Sequence, residues 1–346
     1  MKVEKNIEIG SYEEFFKKVK ARLEELLGKD YTLYQNHVRK NNDVWLDGII
    51  IRKGMETICP TIYLDKNFYK INKEKDIDTA AKYILSKYQE ALTCDICQNV
   101  DLSYEYAMPR IIYRLINKEK NEELLKKCPS VPFLDLAITF HILLDKMTNK
   151  EQATIQITNH MMSLWNIDTT TLAKFADENT KKYLPPAIYT MREMLGKIML
   201  DEMQQIEMKN FERKSKISNK EEQKNIEIAQ LEEIEKFKIE SAIEEQNREL
   251  GKMEMYVLTN TQNIYGATSV IYKDILRDFS QSVHCDLYLL PSSIHEFILI
   301  PAKRSFEKEN LEDMVQLVNR TQLPKEEFLS DFVYYYSQKE EKIIKL

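Results

Sequence analysis

The chain has 346 residues, 43% hydrophobic and 31% charged, which accommodates one large or two ordinary globular domains. Its formal net charge is −6, with Lys and Glu interleaved and no basic cluster, so nucleic acid is not an expected partner. Only 7 Gly and 9 Pro are present, which favours long regular elements and excludes glycine-rich phosphate loops.

The N-terminal stretch MKVEKNIEIGSYEEFF lacks the apolar core of a secretory signal, and no apolar run approaches the length of a membrane span. The five cysteines are scattered and odd in number, as expected of reduced thiols in the cytoplasm. Ser11-Tyr12-Glu13-Glu14 reads as a capping box that starts a helix with Phe15, Val19, Leu23 and Leu27 on one face, ending near Gly28. Tyr31–Arg39, Val44–Arg52 and Thr57–Leu64 are rich in strand formers. Turn chemistry at Asn41-Asn42-Asp43 and at Gly54 separates them, predicting a three-stranded meander. A second helix is predicted over Asp78–Ala91.

Ile111–Ile116 and Leu134–Leu143 have strand composition, with a helical segment at Glu119–Lys127 between them. Ala153–Ile157 is a further strand. Asn159–Trp165 is helical, and Asp168 is placed to cap a helix over Thr171–Thr180 that Pro185-Pro186 stops. Helix is expected to resume over Tyr189–Leu200. Residues 201–250 hold 14 acidic and 9 basic side chains, a local charge of 9 − 14 = −5, with no Gly or Pro. Ile226, Ile228, Leu231, Ile234, Phe237, Ile239 and Ile243 recur without a sustained heptad, predicting an amphipathic helix or helical hairpin rather than a strict coiled coil. Beyond it come helix Thr268–Ser282, strands Asp286–Leu290 and Ile294–Ile300, helix Phe306–Asn319, a short Pro324-initiated helical turn and strand Phe332–Tyr336. The expected class is α+β: an N-terminal helix with an antiparallel meander, a mixed central part, a charged helical arm and a C-terminal α/β unit with a β-hairpin. The expected division is 1–200, an arm at 201–251, and 252–346 packed with the first part.

Several segments together resemble a known family. They are NNDVWLDGIII (41–51), PTIYLD (60–65), RLIN (114–117), FLDLAI (133–138), ITN (157–159), LWNID (164–168) and MYVLTN (255–260). They continue with GA (266–267), LPSSIHEFILIP (290–301), NRTQLPKEEFLSD (319–331) and VYYY (333–336). The pattern is similar to an uncharacterised domain-of-unknown-function family of clostridial gut bacteria, with PSSIHE its most specific piece. The resemblance implies a bacterial cytoplasmic or mobile-element protein with one continuous fold interrupted by the arm at 201–250. It supplies no activity, cofactor or catalytic residue.

Polar chemistry concentrates in Met255–Pro301. Ser292 and Ser293 sit in an expected turn, with His295 and Glu296 on the following strand. A hydrolase would use His295 as base and a nearby serine as nucleophile. The stretch has no G-x-S-x-G elbow, however, and adjacent strand residues point to opposite faces, so turn and sheet hydrogen bonds are the competing explanation. Asn260 and Gly266 bracket a strand-to-helix loop whose amides could take an anion, though the glycine spacing and lysine of a phosphate loop are absent. Cys94-x-x-Cys97 is a single pair; a structural zinc would need two further ligands, for which Cys128 and His141 would have to fold nearby. Asp43, Asp47 and Asp65 lie near one edge of the meander but suit a turn and a solvated face. No histidine stands three or four residues from another, so no metal and no cofactor are expected. A binding protein whose arm at 201–250 contacts a protein partner or a second copy is therefore the expected function, with a hydrolase using Ser292, Ser293 and His295 as the alternative.

Overall fold

The computed structural model describes residues 2–54, 59–64, 77–92, 101–144, 154–197, 200, 255–303 and 308–346. These residues carry helices and several antiparallel sheets, an α+β fold. They divide into two units, Met1–Thr180 with Pro324–Glu327, and Lys181–Leu323 with Phe328–Leu346. No described helix is long and apolar enough to cross a membrane.

In the first unit, helix α1 (Lys2–Leu27) leads into a meander of β1 (Tyr31–Arg39), β2 (Trp45–Lys53) and β3 (Thr61–Leu64), followed by α2 (Ile77–Leu92). The order is β1-β2-β3, with Leu33 opposite Ile51 and Ile49 opposite Ile62. Alternation along the strands turns Leu33, Ile49 and Ile51 to one side. There they pack with Phe15, Phe16, Val19 and Leu23 of α1 and with Ala80, Ala81, Ile84 and Tyr88 of α2. Gly28 ends α1 at φ +78°, donating its N–H to the Glu24 carbonyl at 3.1 Å. The helix runs through Ser11 from Lys2, which corrects the expected start. A serine inside a helix costs only a few tenths of a kcal/mol, roughly, too little to terminate one.

The second sheet of this unit contains β4 (Ile111–Asn117), β5 (Ser130–Phe133), β6 (Leu136–Leu143) and β7 (Thr154–Gln156). β6 is central, pairing β4, β5 and β7. Short helices α3 (Tyr104–Ala107), α4 (Glu122–Leu125) and α5 (Asn159–Trp165) accompany it. The run 134–143 is one strand from Leu136 on, β6, which forms a hairpin with β5 turning at Leu134, whose φ is +55°. Helix α6 (Thr169–Tyr183) is capped as its sequence predicts, Asp168 Oδ1 accepting from Thr171 N–H at 2.7 Å. It lies on β4, where Thr180 Oγ1 accepts from Tyr113 N–H at 2.9 Å and the Tyr113 hydroxyl donates to the Ala173 carbonyl at 2.6 Å.

The second unit is built on a six-stranded antiparallel sheet of order β13-β12-β10-β11-β9-β8. Its strands are β8 (Pro186–Thr190), β9 (Tyr256–Asn260), β10 (Leu287–Ser293), β11 (Glu296–Pro301), β12 (Tyr334–Ser337) and β13 (Lys342–Lys345). Helix α7 (Lys273–Val283) covers one face, with Phe279 edge-on to Tyr256 at 4.9 Å. On the other face Leu290, Ile300 and Val333 pack with Leu311 and Val315 of α8 (Lys308–Thr321).

Three sequence expectations change in this unit. Tyr189 and Thr190, expected to open a helix, end strand β8; helix occupies 191–197. Pro186 is tolerated because β8 is an edge strand, where one strand side needs no ladder donor. The expected helix 268–282 is a 3₁₀ segment, Gly266–Ile271, followed by α7. Strand β13 carries no alternation strong enough to foresee. The predicted hairpin of the C-terminal part is present as β10 and β11, Leu289 facing Leu299.

Candidate functional site

The residues singled out between 255 and 301 converge in the second unit, at the end of the sheet where β9 leaves and the β10–β11 hairpin turns. The turn is Ile294-His295, not Pro291-Ser292-Ser293, because β10 continues through Ser293 with a register shift at Ser292. His295 therefore stands in the turn rather than on a strand face.

Each polar group at this corner has a local task. The Ser293 hydroxyl accepts from the His295 main-chain N–H at 2.9 Å, and the Ser292 hydroxyl donates to Glu296 Oε1 at 3.2 Å. His295 Nδ1 accepts from the Tyr265 N–H at 3.0 Å, and its ring stacks on Tyr265 at 5.5 Å. Accepting at Nδ1 leaves Nε2 as the protonated nitrogen of a neutral ring. Burial pushes the Glu296 carboxyl above its ordinary range, opposed by the Ser292 hydrogen bond.

Asn260 organises the facing loop. Its Oδ1 accepts from Gln262 and Ile264 N–H at 3.0 and 3.4 Å, and its Nδ2 donates to the Ile264 carbonyl at 2.7 Å. Thr261, Asn263, Ala267 and Thr268 donate their amides to the carbonyls of Pro185, Asn260, Ile294 and Tyr265. An anion here would have to displace these bonds, and the α-helical N-terminus lies further on, at Lys273.

Gly266 explains why loop and turn can meet. A Cβ there would lie 2.1 Å from Thr259 Oγ1, 2.5 Å from the His295 carbonyl oxygen and 2.8 Å from Asn260 N. Thr259, which the sequence did not mark, donates its hydroxyl to that same carbonyl at 2.9 Å, and Ser269 donates to the Thr259 carbonyl at 2.7 Å. The corner thus brings Asn260, Gly266, Ser292, Ser293, His295 and Glu296 together, and the described contacts pair them as a mutual brace. What it leaves is one buried hydroxyl, Thr268 Oγ1, with no hydrogen-bond partner.

The other sequence candidates lie in the first unit. Asp47 pairs with His37, and Asp43 with Arg39. Trp45, 53% exposed, carries the His37 ring stacked at 5.3 Å and the Arg39 guanidinium 5.8 Å from its centroid. Asp65, Cys94, Cys97 and the arm 201–250 lie outside the described residues. Among the described residues no three His, Cys, Asp or Glu side chains cluster as a metal site.

Cys128 and His141 are both buried in the first unit. Gln156 is the cross-strand partner of His141, and it is the group that opposes the upward shift of the Cys128 thiol. Burial pushes that thiol up to about 11, against the Gln156 contact, while burial and then the Arg114 charge hold His141 well below its ordinary range. The sequence marked both only as residues that would have to fold near Cys94 and Cys97.

No curated protein and no solved structure matches the chain. A family model matches residues 12–338, across both units and through the braced corner, and by that match the chain belongs to the family of unknown function DUF5688.

Proposed function

We propose that this is a cytoplasmic binding protein in which residues 201–250 form a helical arm for protein contacts. The supporting observation is where the arm joins the fold. Strands β8 and β9 are antiparallel neighbours, Thr190 faces Tyr256, and Met191 N–H donates to the Met255 carbonyl at 3.1 Å. The arm is an excursion from a hairpin whose two strands already pair. Among the described residues, the six strands of this sheet pair with one another in a single order. With 23 of its 50 residues charged (14 + 9), the segment is too polar to be buried all round, yet its Ile, Leu and Phe positions offer one apolar stripe. A surface of that kind is suited to a partner.

The hydrolase reading has less support. It needs an imidazole acceptor facing a serine hydroxyl, with donors for an oxyanion. Instead His295 Nδ1 is engaged by Tyr265, Ser292 by Glu296, and Ser293 by the turn backbone.

The test is a chain joining residue 200 directly to 252. Sedimentation equilibrium of the full and shortened chains measures self-association; quantitative co-purification of tagged versions from the source cell measures partner capture. The shortened chain is expected to keep one cooperative thermal transition and to lose association. An insoluble product, or one without that transition, would place the arm in the core and remove the proposal's main support. Undiminished association would assign the contact elsewhere.

A further inference from the structure

Two of the segments that carry the family resemblance, 41–51 and 319–331, meet in the first unit. Pro324–Glu327 belongs to that unit, although Leu323 before it and Phe328 after it belong to the other. These four residues form the tip of a tongue, a 3₁₀ turn in which Glu327 N–H donates to the Pro324 carbonyl at 3.0 Å. The turn between β1 and β2 grips it. Asn41 Nδ2 donates to the Glu326 carbonyl at 2.7 Å, and Asn42 Nδ2 to the Lys325 carbonyl at 2.9 Å. Two side-chain amides thus read two successive carbonyls, and these bonds take no account of the tongue's side chains.

The gripping side is built in advance. Asn42 stands at φ +59° and ψ +32°, a left-handed conformation that asparagine tolerates better than most residues. Asn121, 2% exposed, holds it there: its Oδ1 accepts from Asn42 N–H and its Nδ2 donates to Asn42 Oδ1, both at 2.9 Å. Asn121 Nδ2 also donates to the Asn117 carbonyl at the end of β4, at 2.8 Å. The tip, by contrast, is held lightly. No residue of its 3₁₀ turn is buried, and the Asn42 bond to it lies exposed to solvent. None of the four residues belongs to the apolar cluster between α1, α2 and the meander. The root of the tongue is fixed separately. Asn319 Nδ2 on α8 donates to the Ser330 carbonyl at 3.0 Å and to Asp331 Oδ1 at 2.9 Å, and Phe328 and Leu329 are buried.

We propose that Pro324–Glu327 is a releasable latch, a tongue tip that lifts off Asn41 and Asn42 while its root stays closed and neither unit unfolds. Burial of apolar surface, the dominant force tying elements together, is missing from the turn. What holds it is a pair of hydrogen bonds, each shifting the balance between closed and open by about fivefold. The closed state also carries a cost: Asn41 Oδ1 is buried with no hydrogen-bond partner, and water reaches it once the tip lifts. An opening held by so little belongs to the low-stability end of a fold, where moving elements are found. The preset asparagine pair makes reclosing specific for this main-chain turn, and Pro324 restricts the tip before it docks.

Trypsin reads the latch directly, because it cuts after Lys325 and must engage the carbonyl that Asn42 holds. The full chain is treated with dilute trypsin, and the initial rate of that one cut is followed by mass spectrometry of fragments ending at Lys325. When reclosing outpaces cleavage, this rate tracks the open population. Asn41→Ala and Asn42→Gly, the latter at ease with a positive φ, should each raise it by about fivefold, and together by about twentyfold. Low urea should leave the wild-type rate nearly flat, since lifting an exposed turn bares little new surface, while it steeply accelerates hydrogen exchange of the core strand β10. An unchanged rate in the double variant overturns the proposal. So does a wild-type rate that climbs with urea in parallel with β10 exchange, since the tip would then open only when the fold does. This second measurement needs no variant and decides even if one fails to fold.

Discussion

Gly266→Ala isolates the brace at the sheet end. The new Cβ would meet Thr259 Oγ1 at 2.1 Å, the His295 carbonyl at 2.5 Å and Asn260 N at 2.8 Å, and two of these three atoms are backbone. Loop and turn must separate. Forcing a methyl into a packed site costs about 1–3 kcal/mol. Separation also weakens the Thr259 hydroxyl bond to His295 O at 2.9 Å and the Tyr265 N–H bond to His295 Nδ1 at 3.0 Å. Each is worth about 1 kcal/mol net. The sum, about 3–5 kcal/mol, is a large share of a domain's stability. With a urea slope of about 2 kcal/mol/M, the midpoint followed by far-ultraviolet circular dichroism should fall by about 1.5–2.5 M. Gly28→Ala is the control: its φ is +78° but nothing lies within 4 Å of the new Cβ, so it should lose only about 1 kcal/mol, from backbone strain alone. Thr259→Ala should be destabilising alone yet less so beside Gly266→Ala, because it removes the nearest obstacle. If Gly266→Ala unfolds within about 0.5 kcal/mol of wild type, the loop and turn are not held together as described.

Three further outcomes follow from the hydrogen bonds and buried groups. Tyr113 is pushed up to about 12 by burial and then by Asp177. Its contribution is complete below an unfolded value near 10 and is lost as pH rises toward 12, at about 1.4 kcal/mol per unit; Tyr113→Phe should remove one of the two latest steps from a 295 nm titration, the other belonging to Tyr335, which its hydrogen bond to Asp286 also pushes up to about 12. Asp286 accepts from the Tyr335 hydroxyl and from Gln338 N–H, both at 2.7 Å. Asp286→Ala should therefore raise hydrogen exchange over 334–345 by about tenfold or more, as expected when charge-assisted bonds worth about 1.5–3 kcal/mol are lost. Glu296 is raised by burial, so its favourable protonated contribution is complete below 4.5 and is lost as pH rises through the higher folded value. The stability that Glu296→Gln gains over wild type at pH 7 should accordingly shrink as pH falls toward 4.5, read from paired urea curves; a constant difference would refute the burial argument.

Local signals carried much of the architecture. The meander was legible because β1 and β2 alternate around Asn and Gly turn chemistry, and α6 was legible from the Asp168 cap. The hairpin of β10 and β11 followed from two apolar runs around a polar break. These are properties of neighbouring residues, and so is the α+β class. Tyr189 and Thr190 read as the start of the helix that follows; only pairing with β9, across more than sixty intervening residues, makes them the end of β8. The turn fell on Ile294-His295 because β10, with a register shift at Ser292, continues to Ser293, three residues beyond the Leu290 end that composition suggests. The candidate residues were recognisable by type, but not their work. Whether a histidine is a base, a brace or a ligand depends on which atom meets its Nδ1. For His295 that is a loop amide thirty residues away, whereas His141 Nδ1 is buried with no hydrogen-bond partner. Such contacts are set by strand register and close approach, which sequence-local propensity does not encode.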